Sequence, residues 1–193
     1  MGLISNGTTI FDAGAMSLGG SMVFMKKLTA SGSGTLSFVD GSGGVDFSTY
    51  KEYLFTFNNM HPATDNVQFL FNMSSDSGSN YNVTKTTTYF LAEHNATGGS
   101  ANLSYQSAKD LAQSTDFQKL MTDLGNAADE NLSGYLTIYN PSSTTFAKHF
   151  MSRTNAQAYS ATNISFDNYI AGYGNTTSAV NAVQFKMSSG TFD

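Results

Sequence analysis

YKEYLFTFNNMHPATDNVQFLFNMSSDSGSNYN, residues 50–82, decides the fold. In Tyr50–Phe57 the rings of Tyr53, Phe55 and Phe57 fall on every second residue, so they share one face of a strand. Val67, Phe69, Phe71 and Met73 repeat the pattern in Val67–Met73. Between the two lies a corner. Pro62 has no amide proton and biases His61 towards extended backbone, and Asn58, Asn59, Asp65 and Asn66 are turn formers on either side. SSDSGSN, Ser74–Asn80, then reads as a tight polar loop. The stretch is a two-strand unit with one aromatic face, and the rest of the chain has to bury that face. His61 and Asp65 read as parts of a turn that sets the register of the two strands.

Upstream, Met1–Gly20 is rich in small residues and reads as an arm or edge strand. Ser21–Thr29 and Thr35–Val39 are expected to form a hairpin about the Ala30–Gly34 turn. Asp40–Gly44 is a loop and no phosphate cradle, because no lysine follows its glycines and no helical pattern begins there. Downstream, Val83–Leu91 fits a third strand. Its alternation is weakly polarised, so one face is expected to be only partly buried.

Glu93–Asn131 breaks the pattern. Phe117, Leu120, Met121 and Leu124 stand at i, i+3, i+4 and i+7, with Ser114 or Thr115 as a cap and Gly125 as a stop. The spacing predicts a short helix within an insertion at about 93–131. Strands resume at Gly134–Tyr139, Thr145–Arg153, Ser165–Ala171 and Ala182–Met187. This rhythm predicts an all-β antiparallel sandwich or barrel, one domain over residues 21–193 with an arm at 1–20.

Composition narrows the function classes. Of 193 residues only 12% are charged, against about 25% in ordinary domains, while 13% are aromatic. Polarity comes from Ser, Thr, Asn and Gly, which gives a neutral polar surface. The net charge of −5 argues against a nucleic-acid partner, since phosphate binding needs a basic stripe. Without cysteine there is no disulfide or thiolate site, so any stability outside a cell rests on packing or oligomerisation. No signal peptide, no apolar run of about 20 residues and no myristoylation context is seen, so no membrane partner is expected.

Catalytic, cofactor and metal residues are not expected. His61, His94 and His149 sit in no compact metal spacing, and isolated histidines are usually structural or solvated. Asp40, Asp46, Asp65, Asp76 and Asp167 fall in loops or at strand ends. The loop around Asp76 lacks the repeated carboxylates of a calcium site and reads as a polar turn. No serine stands in G-x-S-x-G. Sequons at Asn72, Asn82, Asn95 and Asn163 are chance in a chain this rich in Asn, Ser and Thr. Tyr105, Tyr159 and Tyr173, in or near loops, are candidate glycan or partner contacts, since a ring that stacks and a hydroxyl that hydrogen-bonds suit both.

YLFTFNNMHPATDNVQFLFNMSSDSGSNYN carries an aromatic strand, N-x-x-P-A-T-D-N, an alternating strand and an S-x-D-x-G-S loop. With MGLISNGTTIFDAGAM, GYLTIYNPSSTTFAKHF and TTSAVNAVQFKMSSGTFD, it resembles virion structural proteins of marine bacteriophages over most of the chain. The resemblance implies a jelly-roll-like β-sandwich on the surface of a virus particle, as head decoration or knob, or as tail or fibre component. It implies other virion proteins as partners, a homo-oligomer with a trimer favoured, assembly in the host cytoplasm, and neither cofactor nor enzyme activity. The alternative is a receptor-binding module for host cell-surface glycans. An enzyme acting on host polysaccharide ranks third. The family pattern continues past the position of Asp193 through one more strand, so an open sheet edge that recruits a neighbour's strand is also expected.

Overall fold

Alternation in the aromatic strands places one layer of rings between two sheets. The computed structural model describes residues 22–160 and 163–193, together with the backbone of three short strands, β1 (Leu3–Ser5), β2 (Thr8–Asp12) and β3 (Ala15–Met16). These three pair antiparallel in the order β1-β2-β3. The remainder of the arm expected over residues 1–20 lies outside the described residues.

The strands that follow are β4 (Thr35–Val39), β5 (Glu52–Met60), β6 (Val67–Ser74), β7 (Lys85–Asn95), β8 (Ala101–Tyr105), β9 (Gln118–Leu124), β10 (Leu132–Tyr139), β11 (Lys148–Ala158), β12 (Ile164–Gly174) and β13 (Ala182–Met187). They build a six-stranded sheet, β5-β10-β11-β12-β7-β8, and a four-stranded sheet, β4-β13-β6-β9. Every pairing within both sheets is antiparallel. The two pack face to face as a β-sandwich, and the described residues form no helix.

The rings of the opening stretch do what their spacing predicts. Tyr53, Phe55 and Phe57 of β5 and Phe69 and Phe71 of β6 are buried. Phe185 of β13 stands among them, its centroid 5.5 Å from Phe55, 5.1 Å from Phe57 and 5.9 Å from Phe69. Phe71 meets Phe150 of β11 edge to face at 4.9 Å. Each such contact adds about 0.5–1.5 kcal/mol to what burial of the ring itself supplies. At the Pro62 corner, Asn59 and Asn66 hold positive φ of 51° and 53°, as residues with short amide side chains can. Asp65 Oδ1 accepts the Asn126 amide at 3.0 Å, and Pro62 forms an isolated antiparallel bridge with Phe192. Phe192 is fully buried against Phe69.

Two expectations are corrected. The helix over Phe117–Leu124 is strand β9. It pairs with β6 across two register shifts, Val67/Phe69 and Phe69/Leu70. Such irregularities let neighbouring residues share one side, so Leu120 and Met121 are both fully buried, which imitates a helical stripe in the sequence. Long-range pairing thus overrides the local period. The Ser21–Thr29 strand is also absent: residues 22–30 have no regular structure, and Met22, Val23 and Phe24 are 61–81% exposed. Thr35–Val39 pairs instead with β13, near the other end of the chain. The stretch expected as an insertion holds the end of β7, all of β8 and all of β9.

Candidate functional site

The outer face of the six-stranded sheet is the feature that packing alone leaves unexplained. In β11 the residues of even number, from Lys148 to Ala158, are buried, while His149, Met151, Arg153 and Asn155 face out. Register aligns the outward residues of neighbouring strands. Thr56, Tyr135, Arg153, Tyr169, Phe90 and Tyr105 follow one another across β5, β10, β11, β12, β7 and β8. Tyr135, Tyr169, Phe90 and Tyr105 are each 40–47% exposed. Exposed Leu54, Met151 and Leu103 border the row. The result is a ladder from β10 to β8 on the solvent side of the sheet, four aromatic rings with Arg153 between the first two.

Arg153 organises the middle of the ladder. Its guanidinium donates to Asp167 from Nε at 3.0 Å and Nη2 at 2.7 Å, a two-point fork, and lies over the Tyr169 ring at 4.8 Å. The Tyr169 hydroxyl donates to Asp167 Oδ2 at 3.1 Å. The hydrogen bonds from Arg153 hold the Asp167 carboxyl below its ordinary range, and the same pairing raises the arginine. The pair is therefore neutral as a unit. At one end of the row Phe90 and Tyr105 meet edge to face at 5.2 Å, and the Tyr105 hydroxyl donates to Asp110, which raises its pKa.

Two depressions flank the ladder. One, of about 260 Å³, lies between His149, Met151 and Tyr173, with Ala171 and Gly172 beneath and Thr86 and Thr88 opposite. Ala171 makes it, because this outward position of β12 does not rise to the height of the neighbouring rings. The other, of about 410 Å³, is lined by amides and small polar groups, Asn95, Asn155, Gln157, Asn163 and Ser165, with His94 at its side.

The sequence candidates fall unevenly on this surface. Tyr105 ends the ladder, and Tyr173 borders the smaller depression, 6.1 Å from the His149 ring. Tyr159 is exposed but sits past the end of β11, where its amide donates to the Asp123 carbonyl, so it does not join them. Sequence reasoning missed Tyr135, Arg153, Tyr169 and Phe90. The available signal was the weak polarity of β7 and the outward parity of GYLTIY, but their adjacency depends on strand order. His61 hydrogen-bonds the Ala127 carbonyl through Nε2 at 3.1 Å and lies 3.5 Å from the Asp193 carboxylate. Asp76 accepts from Ser74 Oγ and from the Asn80 amide and side chain, which holds its carboxyl at about 2 and fills both oxygens with turn donors. Among the described residues no three His, Cys, Asp or Glu side chains are grouped to hold a metal ion, and no helix is long and apolar enough to cross a membrane. Comparison of the chain with protein-family models, with curated proteins and with solved structures finds no match.

Proposed function

We propose that this chain is a non-enzymatic structural protein of a bacteriophage particle, a jelly roll carried on the surface as head decoration or knob, or as tail or fibre component. Strand order carries the reading. If the meander β10-β11-β12 stands for one strand, the ten strands β4–β13 reduce to eight. Their order is then first-eighth-third-sixth in one sheet and second-seventh-fourth-fifth in the other, the interleaving of an eight-stranded jelly roll. That topology is common in viral coats and agrees with the resemblance of the Tyr50–Asn82 stretch to phage virion proteins. It is also used by lectins, so fold alone does not separate the roles.

The aromatic ladder supports attachment. Exposed rings grouped on one face suit an interaction surface, and here Tyr135, Tyr169, Phe90 and Tyr105 stand in one row around the Arg153–Asp167 fork. On this reading the ladder faces another virion protein or a second copy of the chain, and the particle-bound form is an oligomer, with a trimer favoured. Mass spectrometry of particles purified from cells expressing the chain from its own locus tests the proposal. The chain is expected in many copies per particle, and its absence from washed particles would overturn the reading.

A second reading has one observation in its favour. The neutral Arg153–Asp167 fork set between Tyr135 and Tyr169 joins stacking faces to fixed hydrogen-bond groups, the combination that recognises a sugar ring. Retention on immobilised host polysaccharide, lost in a Tyr169→Ala variant, would favour the glycan-binding module over the attachment protein.

A further inference from the structure

Asn72 on β6 and Lys85 at the start of β7 are both fully buried. Lys85 Nζ stands 2.5 Å from Asn72 Oδ1 and 2.7 Å from the Val83 carbonyl. Among the described residues no carboxylate forms an ion pair with this lysine. The carboxamide cannot turn away. Its Nδ2 donates to the Tyr81 carbonyl at 2.6 Å and to the Thr115 carbonyl at 2.9 Å, and its Oδ1 also accepts the Met73 amide at 2.8 Å. The carbonyl end of Asn72 is thus aimed at the amine.

Burial lowers the Lys85 amine to about 7, so a large share of it is neutral near pH 7. A desolvated neutral amine is a nucleophile, and fixed proximity replaces a bimolecular encounter. The segment Ser114–Asp116 wraps the pair. Ser114 and Lys85 exchange backbone hydrogen bonds of 2.8 and 3.0 Å, Thr115 holds the Asn72 amide, and the charge of Asp116 acts on Lys85.

We propose that Lys85 and Asn72 join in an intramolecular isopeptide bond. The Nζ lone pair adds to Asn72 Cγ, the Cγ–Nδ2 bond breaks, and one proton passes from Nζ to the departing nitrogen, which leaves as ammonia. A primary amine and a primary amide become a secondary amide and ammonia, with no change of oxidation state and no co-reactant. The bond ties a strand of the four-stranded sheet to a strand of the six-stranded sheet. It gives a chain without cysteine the kind of cross-link that a disulfide gives other surface proteins.

Intact-mass measurement of the full chain, incubated at mildly alkaline pH, tests it. The expected mass is that of the sequence less one ammonia. Trypsin should fail to cut after Lys85, and cleavage after Tyr81 should leave the two flanking segments joined. Lys85→Met and Asn72→Ala variants should keep the full sequence mass, and if neither folds, the unaltered chain alone decides. A full-length mass with tryptic cutting after Lys85 would overturn the proposal. So would loss of ammonia without joined segments, which marks cyclisation within an asparagine.

Discussion

The six-stranded sheet carries aromatic rings on both faces, and the two sets behave differently. Inside, Phe55, Phe57 and Phe150 pack with Phe69, Phe71 and Phe185 of the opposite sheet, all at 9% exposure or less. Outside, Tyr135, Tyr169, Phe90 and Tyr105 keep 40–47% of their surface in solvent. The inner rings are phenylalanines with no polar atom to satisfy, apart from Tyr53 and Tyr89. The buried Tyr89 hydroxyl finds Asn168 at 2.7 Å. The outer rings are mostly tyrosines, whose hydroxyls can reach water or a partner. One set is committed to folding. The other stays in solvent.

The difference can be broken first from the inside. Phe185 touches five other rings, those of Phe38, Phe55, Phe57, Phe69 and Phe71. Phe185→Ala should cost about 3–5 kcal/mol of unfolding free energy, read from urea denaturation, because the cavity is walled by two rigid sheets. The outer face should respond in the opposite sense. A Tyr135→Ala, Tyr169→Ala double variant should unfold within about 1 kcal/mol of the parent, yet lose attachment to particles by tenfold or more in a pull-down titration. If it unfolds as readily as Phe185→Ala, the ladder is part of the fold and not a contact surface.

The polar part of the interior gives a smaller, pH-dependent effect. Lys148 of β11 is buried, donating to the Phe146 carbonyl at 2.6 Å and the Thr176 carbonyl at 3.2 Å, and desolvation lowers its pKa below 10.5. The unfolded chain then binds the proton more tightly than the folded one, so stability should rise with pH towards 10.5. Thermal melts of Lys148→Met should show that rise reduced. The smallest effect belongs to the exposed Asp76 turn. Its carboxyl is lowered from 3.8 to about 2, so its contribution is complete above pH 3.8 and lost as pH falls towards 2. Asp76→Ala should melt slightly lower than the parent at neutral pH, with the difference closing as pH falls towards 2.

Much of the inner face was legible in the sequence, and little of the outer. Tyr53, Phe55, Phe57, Val67, Phe69, Phe71 and Met73 announce their burial by a period of two, and the Pro62 corner announces its turn. β9 was not legible, because its irregular pairing with β6 puts Leu120 and Met121 on one side and mimics a helical stripe. The ladder was hidden for another reason. Phe90, Tyr135 and Tyr169 become a row only through a strand order that the local pattern does not encode. Of the three tyrosines singled out from sequence, Tyr105 and Tyr173 reach this face because their strands do, and Tyr159 overshoots the end of its own. The Asn72–Lys85 pair was equally invisible: a lone lysine among threonines reads as a solvated residue until its burial is seen.

On the proposed function, the outer ladder is where this chain meets the particle. Hydroxyl-radical footprinting of the free chain and of purified particles, read at Tyr105, Tyr135 and Tyr169, tests it most directly. All three are expected to react freely in solution and to be protected on the particle, while exposed Phe146, off the ladder, reacts alike in both. Equal labelling of the three tyrosines in the two states would contradict it.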